Sequence, residues 1–393
     1  MLLVMSSTCS EAEKSLEEGP VCIRRLHPLD VSQFDLMKWR TLFSESIEPN
    51  VFLDPEFVIP LIEEVPTGLC PILLIAEDLR TGRWLGLCLF EVACWSLLSP
   101  LPMARGLASP YAFQQGWLVS RESEKRAIDA LLDYQLQQRE WHGFQIKNLP
   151  VKSMQTQLMI EAAERLGISV TTTGEWQRAE YVTGRNQTTE DLLQACSKSR
   201  RKSLKRCRRA LEELGEVQYR LEPVQSSRDP QVNDFLRLEK SGWKLLSGTA
   251  IGLKSADEAF FRRMIDGLAR EKRVLFGELQ LNGQTIASTC NLQSGDTLVG
   301  FKIGWDPAYS AGAPGLWSEL EMAAAVSQRY PEITRIDSCA VRGSYVESVW
   351  KDRQELFSGT FSWSRRGKAL QAAKSCYRTV RDLCQSSVKS HDE

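Results

Sequence analysis

The sequence predicts an α/β protein with mixed, mostly antiparallel sheets, arranged as two halves of similar plan. Residues 273–350 read as three short strands, a loop rich in small residues, a helix and a closing strand. Residues 71–166 repeat that order loosely, with negligible sequence identity between the halves. A chain of 393 residues is long enough for two domains that each bury a core.

The composition is that of an ordinary globular protein, with 42% hydrophobic and 25% charged residues. The formal net charge of −1 argues against a protein devoted to nucleic acid, which would need a local basic patch. Met1–Cys9 lacks the basic start of a signal peptide, and prolines and Glu91 interrupt the most apolar stretch, Leu85–Pro102. We therefore expect a cytoplasmic protein without a membrane span.

Metal binding and disulfide chemistry are not expected. The eleven cysteines are odd in number, no two are spaced Cys-x-x-Cys, and the only histidines are His27, His142 and His391. Because His391 is the sole histidine of the C-terminal half, Ser-His-Asp and Cys-His schemes are excluded there. The chain also lacks the glycine-rich phosphate loop of P-loop enzymes and the Gly-x-Gly-x-x-Gly pattern of dinucleotide-binding domains.

The N-terminal half, expected over residues 21–185, follows a flexible segment, 1–20. Two apolar strands joined by a turn come first, and a long irregular loop separates them from a helix with one apolar face. A further strand and helix complete the half. The predicted elements are strands Pro71–Asp78, Trp84–Val92 and Phe144–Leu149 and helices Glu122–Arg139 and Met154–Leu166.

A basic helical segment, Thr188–Leu214, links the halves. Thr188 and Asp191 have the spacing of a capping box, which predicts a helix start. Eight cations follow within twelve residues: Lys198, Arg200, Arg201, Lys202, Lys205, Arg206, Arg208 and Arg209. The segment is either a solvated helix that packs through its leucines, or a surface for an anionic acceptor, a nucleic acid or a lipid surface. Since no aromatic residues are interleaved, nucleic acid is the less favoured partner.

The C-terminal half is expected over residues 186–364, and a basic C-terminal helix over 365–393. Asn282-Gly283 has the residues of a type I′ turn and therefore predicts a hairpin. The loop Tyr309–Gly315 leads directly into the helix, so its backbone N–H groups and the helix dipole favour an anion. The predicted elements are strands Arg273–Leu281, Thr285–Gln293 and Thr297–Trp305, helix Leu316–Tyr330 and a strand that ends at Asp337.

Several short motifs in residues 50–360 resemble the CelD-like acetyltransferase family, a GNAT-type family related to the Fem-type peptidyltransferases. Two departures stand out: Ala313-Pro314-Gly315 replaces the usual Ser-Pro-Gly, and Tyr345-Val346 replaces a frequent Tyr-Lys pair, so no role is assigned to that lysine. The motifs are 238–244 (LEKSGWK), 248–251 (GTAI), 277–279 (GEL), 283–288 (GQTIAS), the loop 309–315 and Ile336-Asp337.

The resemblance implies two tandem GNAT-like (acyl-CoA N-acyltransferase) halves, with acyl-CoA (acetyl-CoA) as co-substrate and no metal. It places the pyrophosphate of CoA on the loop and the pantetheine arm along the preceding strand. The implied activity is transfer of the acyl group to an amine or hydroxyl of a small-molecule or glycan-type acceptor, in sugar or envelope polymer metabolism. The implied cofactor residues are Phe301, Lys302, Ile303, Gly304, Ser310, Ala311, Gly312, Ala313 and Gly315.

Acyl transfer from a thioester needs a base for the nucleophile and an acid for the leaving thiolate. Glu239 and Asp337 are the candidate bases, and we expect them to face one pocket. Tyr309 and Tyr345 are the candidate acids. The candidate substrate-binding residues are Trp243, Lys244 and Trp305.

Two other functions remain open. One is an aminoacyl-tRNA-dependent transferase of the Fem type, in which the basic helix binds RNA. The other is a non-catalytic binding module that keeps the fold. In the favoured interpretation, the N-terminal half supplies part of the acceptor pocket or is catalytically silent.

Overall fold

The structure is a computed structural model that describes residues 19–93, 101–138, 140–184, 186–241, 244–245 and 248–373. Three predicted features lie wholly or partly outside these residues: the N-terminal segment 1–20, of which only 19 and 20 are described, the candidate substrate residue Trp243, and the C-terminal helix, of which 365–373 are helical.

Thirteen strands form one sheet in the described part of the chain. Their order across the sheet is β1-β2-β3-β4-β6-β13-β7-β12-β11-β10-β9-β8, and β5 pairs with β3 outside this path. Only the β4–β6 and β11–β12 pairs are parallel, so the prediction of a mixed, mostly antiparallel sheet is confirmed. The strands are β1 Val21–Leu26, β2 Pro71–Asp78, β3 Trp84–Ala93, β4 Met103–Gly106, β5 Trp117–Val119, β6 Gly143–Pro150, β7 Ser169–Val182, β8 Val217–Pro223, β9 Val274–Leu281, β10 Gln284–Ser294, β11 Thr297–Trp305, β12 Arg335–Asp337 and β13 Asp352–Ser362.

Five of the helices named below begin at a residue whose side chain accepts a hydrogen bond from a free backbone N–H group. Ser32 forms a capping box with Asp35, and Thr188 forms the predicted capping box with Asp191. The predicted segment 188–214 is two helices, because the chain is extended at Cys196 and Ser197 caps the second one. The helices are α1 Gln33–Glu45, α2 Pro55–Glu64, α3 Glu124–Gln137, α4 Met154–Arg165, α5 Thr189–Ala195, α6 Lys198–Glu212, α7 Pro230–Glu239, α8 Ser255–Ala269 and α9 Pro314–Arg329.

The last strand in the described part of the chain crosses into the N-terminal half. Strand β13 lies between β6 and β7, and β7 in turn pairs with β12. The two halves therefore share one continuous sheet, with β13 and β7 at its centre. A division of the chain at residue 185 stays a prediction.

A hydrophobic core also joins the halves. Trp39 and Phe57 from the N-terminal half and Phe235, Phe261 and Phe301 from the C-terminal half belong to the same buried cluster. Phe57 meets Phe301 edge to face with ring centroids 6.2 Å apart. This core lies on the face of the sheet covered by α2, α7 and α8, whereas α9 covers the other face of the C-terminal strands with a second cluster.

Candidate functional site

Strands β11 and β12 separate after the first three residues of β11. They pair only from Thr297 to Val299 against Arg335 to Asp337. On the other side of β11, the register against β10 shifts by one residue, so that Phe301 is an extra residue between Gly300 and Lys302. A bulge bends a strand and leaves its extra residue unpaired. Beyond Val299, this edge of β11 is therefore no longer paired with β12, and we call the space between the two separating strands the cleft.

A short 3₁₀ helix, Pro307–Gly312, and the first turn of α9 lie at the far end of that cleft. Ala313 has a left-handed backbone with φ of 48° and serves as the N-cap of α9 without any side-chain hydrogen bond. The side chains of Ser310 and Ala311 are exposed. The free N-terminal end of a sixteen-residue helix, with its dipole, favours an anion at this end of the cleft.

Helix α6 packs directly on this loop. A Cβ at Gly312 would lie only 2.3 Å from the side chain of Leu211, so the close approach of the helix requires glycine there. Leu204 and Leu211 are buried, so α6 packs through these two leucines, whereas Leu214 beyond its end is exposed. A Cβ at Gly315 would lie 3.2 Å from Cδ1 of Trp305, so Trp305 packs against the first turn of α9.

Glu239 lies at the end of α7 and is completely buried between two lysines. Its Oε1 is 3.3 Å from Nζ of Lys244 and 3.4 Å from Nζ of Lys302, and its Oε2 accepts a hydrogen bond from the Ile251 N–H. Lys244 also donates to the carbonyl of Ile303 in β11. Burial lowers the pKa of Lys244 to about 8, against the opposing attraction of Glu239.

A loop of the N-terminal half covers this charged cluster. Nζ of Lys302 lies 5.2 Å from the ring centroid of Tyr111, and the Phe113 ring lies 5.8 Å from that of Phe301. Both aromatic residues belong to the long irregular loop that the sequence predicts between strand and helix. Both halves therefore build the surroundings of the β11 bulge.

Asp337 has a different set of partners from Glu239. Its Oδ2 accepts a hydrogen bond from Arg178 at 2.9 Å, and its Oδ1 accepts one from the Cys339 N–H at 2.8 Å. Arg178 also donates to the carbonyl of Phe113. Each of the two carboxylates is therefore held in its own ion pair, and the expectation that Glu239 and Asp337 face one pocket stays a prediction.

Glu319 is a carboxyl group that the sequence does not single out. It lies one turn after Gly315 on α9, and its Oε1 accepts a hydrogen bond of 3.3 Å from the hydroxyl of Tyr345, which follows β12. Burial raises the pKa of Glu319 to about 7, while the Tyr345 hydroxyl acts in the opposite direction. The pair spans from α9 to the segment after β12, on the α9 side of the cleft.

A polar cavity of about 270 Å³ opens between the halves on the other side of the sheet. Val299 and Asp337, the last paired residues of β11 and β12, lie in its wall. Asn50 and Gln114 of the N-terminal half also line it, as does Gln354 of β13. The cavity therefore reaches the point at which the two strands part.

The predicted site residues divide into three groups. Lys302, Gly304, Glu239 and Lys244 come together on the α7 face of β11, where a Cβ at Gly304 would meet the backbone N of Glu239 at 2.5 Å. Ile303 and Trp305 face α9, together with half-buried Tyr309. Asp337 and the Tyr345–Glu319 pair form separate contacts.

Spacing along helix α9 could have identified Glu319, because a residue four positions after Gly315 lies on the same helix face. By contrast, Arg178 and Tyr111 lie far from the motifs in sequence, and only the tertiary structure brings them to the site. Among the described residues, no helix is long and apolar enough to cross a membrane. In the same part of the chain, no cluster of His, Cys, Asp and Glu is arranged to hold a metal ion.

Comparisons with known proteins agree with this architecture. Residues 198–352 match the family model described as acetyltransferase (GNAT) domain. The structure is similar to the crystal structure of FemX, with a TM-score of 0.53 and 10% identity over 88% of this chain and 99% of that one. It is also similar to a protein of unknown function from Bacteroides thetaiotaomicron, with a TM-score of 0.51 and 14% identity over 85% and 98% of the two chains.

No match was found among curated proteins. At such low identity the structural likenesses concern the fold alone. Residues 198–352 are thus similar to acetyltransferase (GNAT) domains, and they lie within a mixed α/β fold similar to that of FemX.

Proposed function

We propose that this protein transfers an acyl group from acyl-CoA to an amine or hydroxyl of an acceptor. The observation that carries the proposal is the cleft in which β11 bulges at Phe301 and parts from β12, with the N-terminus of α9 at its end. This cleft lies inside the segment that matches an acetyltransferase domain. An extended thioester arm fits along a strand edge that is not paired with another strand, although Lys244 and Ser241 already bind the Ile303 and Trp305 carbonyls of β11, and its pyrophosphate fits at a helix N-terminus.

In the proposed complex, the loop Ser310–Gly315 holds the pyrophosphate and residues 301–304 lie along the pantetheine arm. The thioester lies near the bulge, where a backbone N–H of β11 can stabilise the developing oxyanion. The nucleophilic nitrogen or oxygen attacks the carbonyl carbon, the C–S bond breaks, and the sulfur takes up a proton. Binding both substrates in one geometry lowers the entropic part of the barrier.

We assign proton transfer to the Glu319–Tyr345 pair, with Tyr345 kept as the candidate acid. A carboxyl group with a pKa near 7 is well matched to a base that works at neutral pH. Glu239 is better suited to positioning, because both of its oxygens already bind Lys244, Lys302 and the Ile251 N–H. The Asp337 carboxylate is likewise committed to Arg178 and the Cys339 N–H.

The acceptor is proposed to bind in the cavity between the halves, to which the N-terminal half contributes residues, and to reach the thioester at the point where β11 and β12 part. Only the resemblance to CelD-like acetyltransferases supports an acceptor from sugar or envelope polymer metabolism. The same resemblance keeps acetyl as the proposed acyl group.

A second candidate function rests on helix α6. Lys198, Lys202, Arg206 and Arg209 are exposed, lie along one side of the helix, and form no ion pair within the described residues. Such a row can bind phosphates of RNA, as an aminoacyl-tRNA-dependent transferase would require. Binding of that kind weakens steeply with salt, because it releases counterions.

Calorimetric titration with acetyl-CoA, CoA and unacylated tRNA separates the alternatives. Micromolar affinity for acetyl-CoA, together with release of free thiol in the presence of amine or sugar acceptors, supports the proposal. Tight tRNA binding without acetyl-CoA binding supports the second candidate. Tight acetyl-CoA binding without thiol release for any acceptor indicates a non-catalytic module.

A further inference from the structure

The cavity between the halves has an excess of negative charge. Four charged residues of its wall are already paired: Lys152 lies 3.8 Å from Glu355, Asp337 binds Arg178, and Arg353 lies 3.9 Å from Glu347. The remaining charged groups in its wall are Glu48, Glu180, Asp296 and Arg335, which form no ion pair within the described residues. Three carboxylates against one guanidinium leave a net charge of −2.

Glu180 is the carboxylate of this set that lies on the central part of the sheet. It lies on the central strand β7, directly opposite Asp337 on one side and Asp352 on the other. Burial raises the pKa of Glu180, and the neighbouring Asp337 and Asp352 act in the same direction, while Arg335 opposes them. No hydrogen bond to its carboxylate occurs within the described residues, so the group has acceptor capacity that only a ligand or water can fill.

Gln354 supplies a second acceptor at the same place. It lies on β13 opposite Arg178, lines the cavity, and is only 8% exposed. Its Oε1 is buried and has no hydrogen-bond partner in the part of the chain that the structure describes. Buried polar groups normally have a hydrogen-bond partner. An amide oxygen without one in a polar cavity therefore indicates a place where a hydrogen-bond donor can bind.

We propose that this cavity binds the acceptor through a cationic amine, recognised by Glu180 and Gln354. An ammonium group donates three hydrogen bonds and carries the charge that complements the excess carboxylates. The cavity reaches Val299 and Asp337, where β11 and β12 part, so a ligand held there extends toward the thioester site. This inference rests on the proposed acyl transfer for its meaning, but the binding that it predicts is measurable without acyl-CoA.

Saturation-transfer NMR titrations with matched pairs of small probes test it. Cadaverine is compared with 1,5-pentanediol, and glucosamine with glucose, at pH 7 and low salt without acyl-CoA. At least one amine should bind about 5-fold tighter than its neutral partner, and the preference should shrink in 0.5 M salt because screening weakens charge attraction. Equal binding of both members in both pairs would overturn the proposal.

The variant Glu180→Gln keeps the shape of the side chain and removes its charge, and it should abolish the amine preference. The control, Glu175→Gln, makes the same change at an exposed position of the same strand and should keep it. A preference that survives Glu180→Gln places the amine elsewhere and contradicts the proposal. If that variant does not fold, the comparison of amine and neutral probes on the wild-type protein, and its salt dependence, still test the proposal.

The two proposals fail separately. If the protein prefers amines but does not bind acetyl-CoA, the amine site is supported and the proposed acyl transfer is contradicted. If the protein turns over acetyl-CoA but uses amine and neutral probes equally, acyl transfer is supported and the amine site is contradicted.

Discussion

Arg178 and Asp337 form an ion pair across adjacent strands, with 2.9 Å between Nη1 and Oδ2 and with side chains only 2% and 5% exposed. The pair joins β7 to β12 at the point where β12 parts from β11. Because Arg178 also donates to the carbonyl of Phe113, it connects the covering loop of the N-terminal half to the sheet. We infer that the pair fixes the floor of the site.

Asp337→Asn should therefore destabilise the protein. It leaves a buried guanidinium without its carboxylate, and loss of one partner of a buried pair costs about 3–5 kcal/mol. Urea denaturation should show a fall of that order in the free energy of unfolding. Loss of turnover in a variant of unchanged stability would instead identify Asp337 as the catalytic base.

The double variant Arg178→Met/Asp337→Asn is the matched control. It removes the unpaired charge as well, so part of the lost stability should return. No recovery would show that the charge of Arg178 is not the source of the destabilisation.

Glu319→Gln should change the pH dependence of the reaction. If Glu319 accepts the proton, the wild-type rate rises with pH through about 7, the raised pKa of this carboxyl. The variant should lack that rise and turn over about 10²–10⁴-fold more slowly, the usual contribution of a general base. Tyr345→Phe, which removes the hydrogen bond to Glu319, should shift the midpoint of the rise. An unchanged profile in Glu319→Gln would contradict the assignment.

The same carboxyl predicts a pH dependence of stability. Between its ordinary pKa of 4.5 and about 7, the folded state binds a proton that the unfolded chain has released. The contribution of Glu319 is thus fully present below about pH 4.5 and is lost as pH rises to about 7. Thermal unfolding at pH 5 and pH 8 should show a smaller difference for Glu319→Gln than for wild type.

Local patterns in the sequence were sufficient to predict the hairpin at Asn282-Gly283, strand Thr297–Trp305 and the capping box of Thr188 with Asp191. These depend on turn chemistry, on alternation and on capping, which act within a few residues. The placement of β13 between β6 and β7 depends on contacts between residues roughly two hundred positions apart, and no local pattern carries that information.

In the candidate site too, the sequence predicts local groupings of residues but not contacts between distant ones. All three residues of the Glu239, Lys244 and Lys302 cluster were named from the sequence, because Glu239 and Lys244 lie in one motif and Lys302 is among the implied cofactor residues. The partner of Asp337 was not, since Arg178 comes from a strand on the other side of the predicted domain boundary. The sequence does not show whether tertiary packing places an arginine next to a given carboxylate.

Ala311→Asp should weaken acetyl-CoA binding at least tenfold. Its side chain is exposed in the loop before α9, so a carboxylate there repels the pyrophosphate without disturbing packing. The neutral variant Ala311→Asn is the control and should bind nearly normally. Gly312 is a poor position for this test, because any side chain would meet Leu211. Equal affinity of the Asp and Asn variants in calorimetry would remove the loop from the site.

Reversing the charge of the exposed basic row on α6 should weaken the binding of anions such as RNA without changing the stability of the fold. Lys202, Arg206 and Arg209 are exposed and form no ion pair within the described residues, so their change to Glu should leave the melting temperature within a few degrees. By contrast, Arg208 binds Glu212 and Glu321, and Lys205 binds Glu190, so reversing these residues should cost stability. A large drop in melting temperature for the first set would show that the row is structural.

The central claim is that acyl-CoA binds in the cleft where β11 parts from β12. Amide hydrogen exchange with and without acetyl-CoA tests it most directly, because bound ligand slows local opening of the backbone that it contacts. We predict slower exchange in residues 300–305, in 308–317 and in 338–345, and little change in 21–90. Saturating acetyl-CoA without protection in these segments, or with protection only in the N-terminal half, would contradict the account.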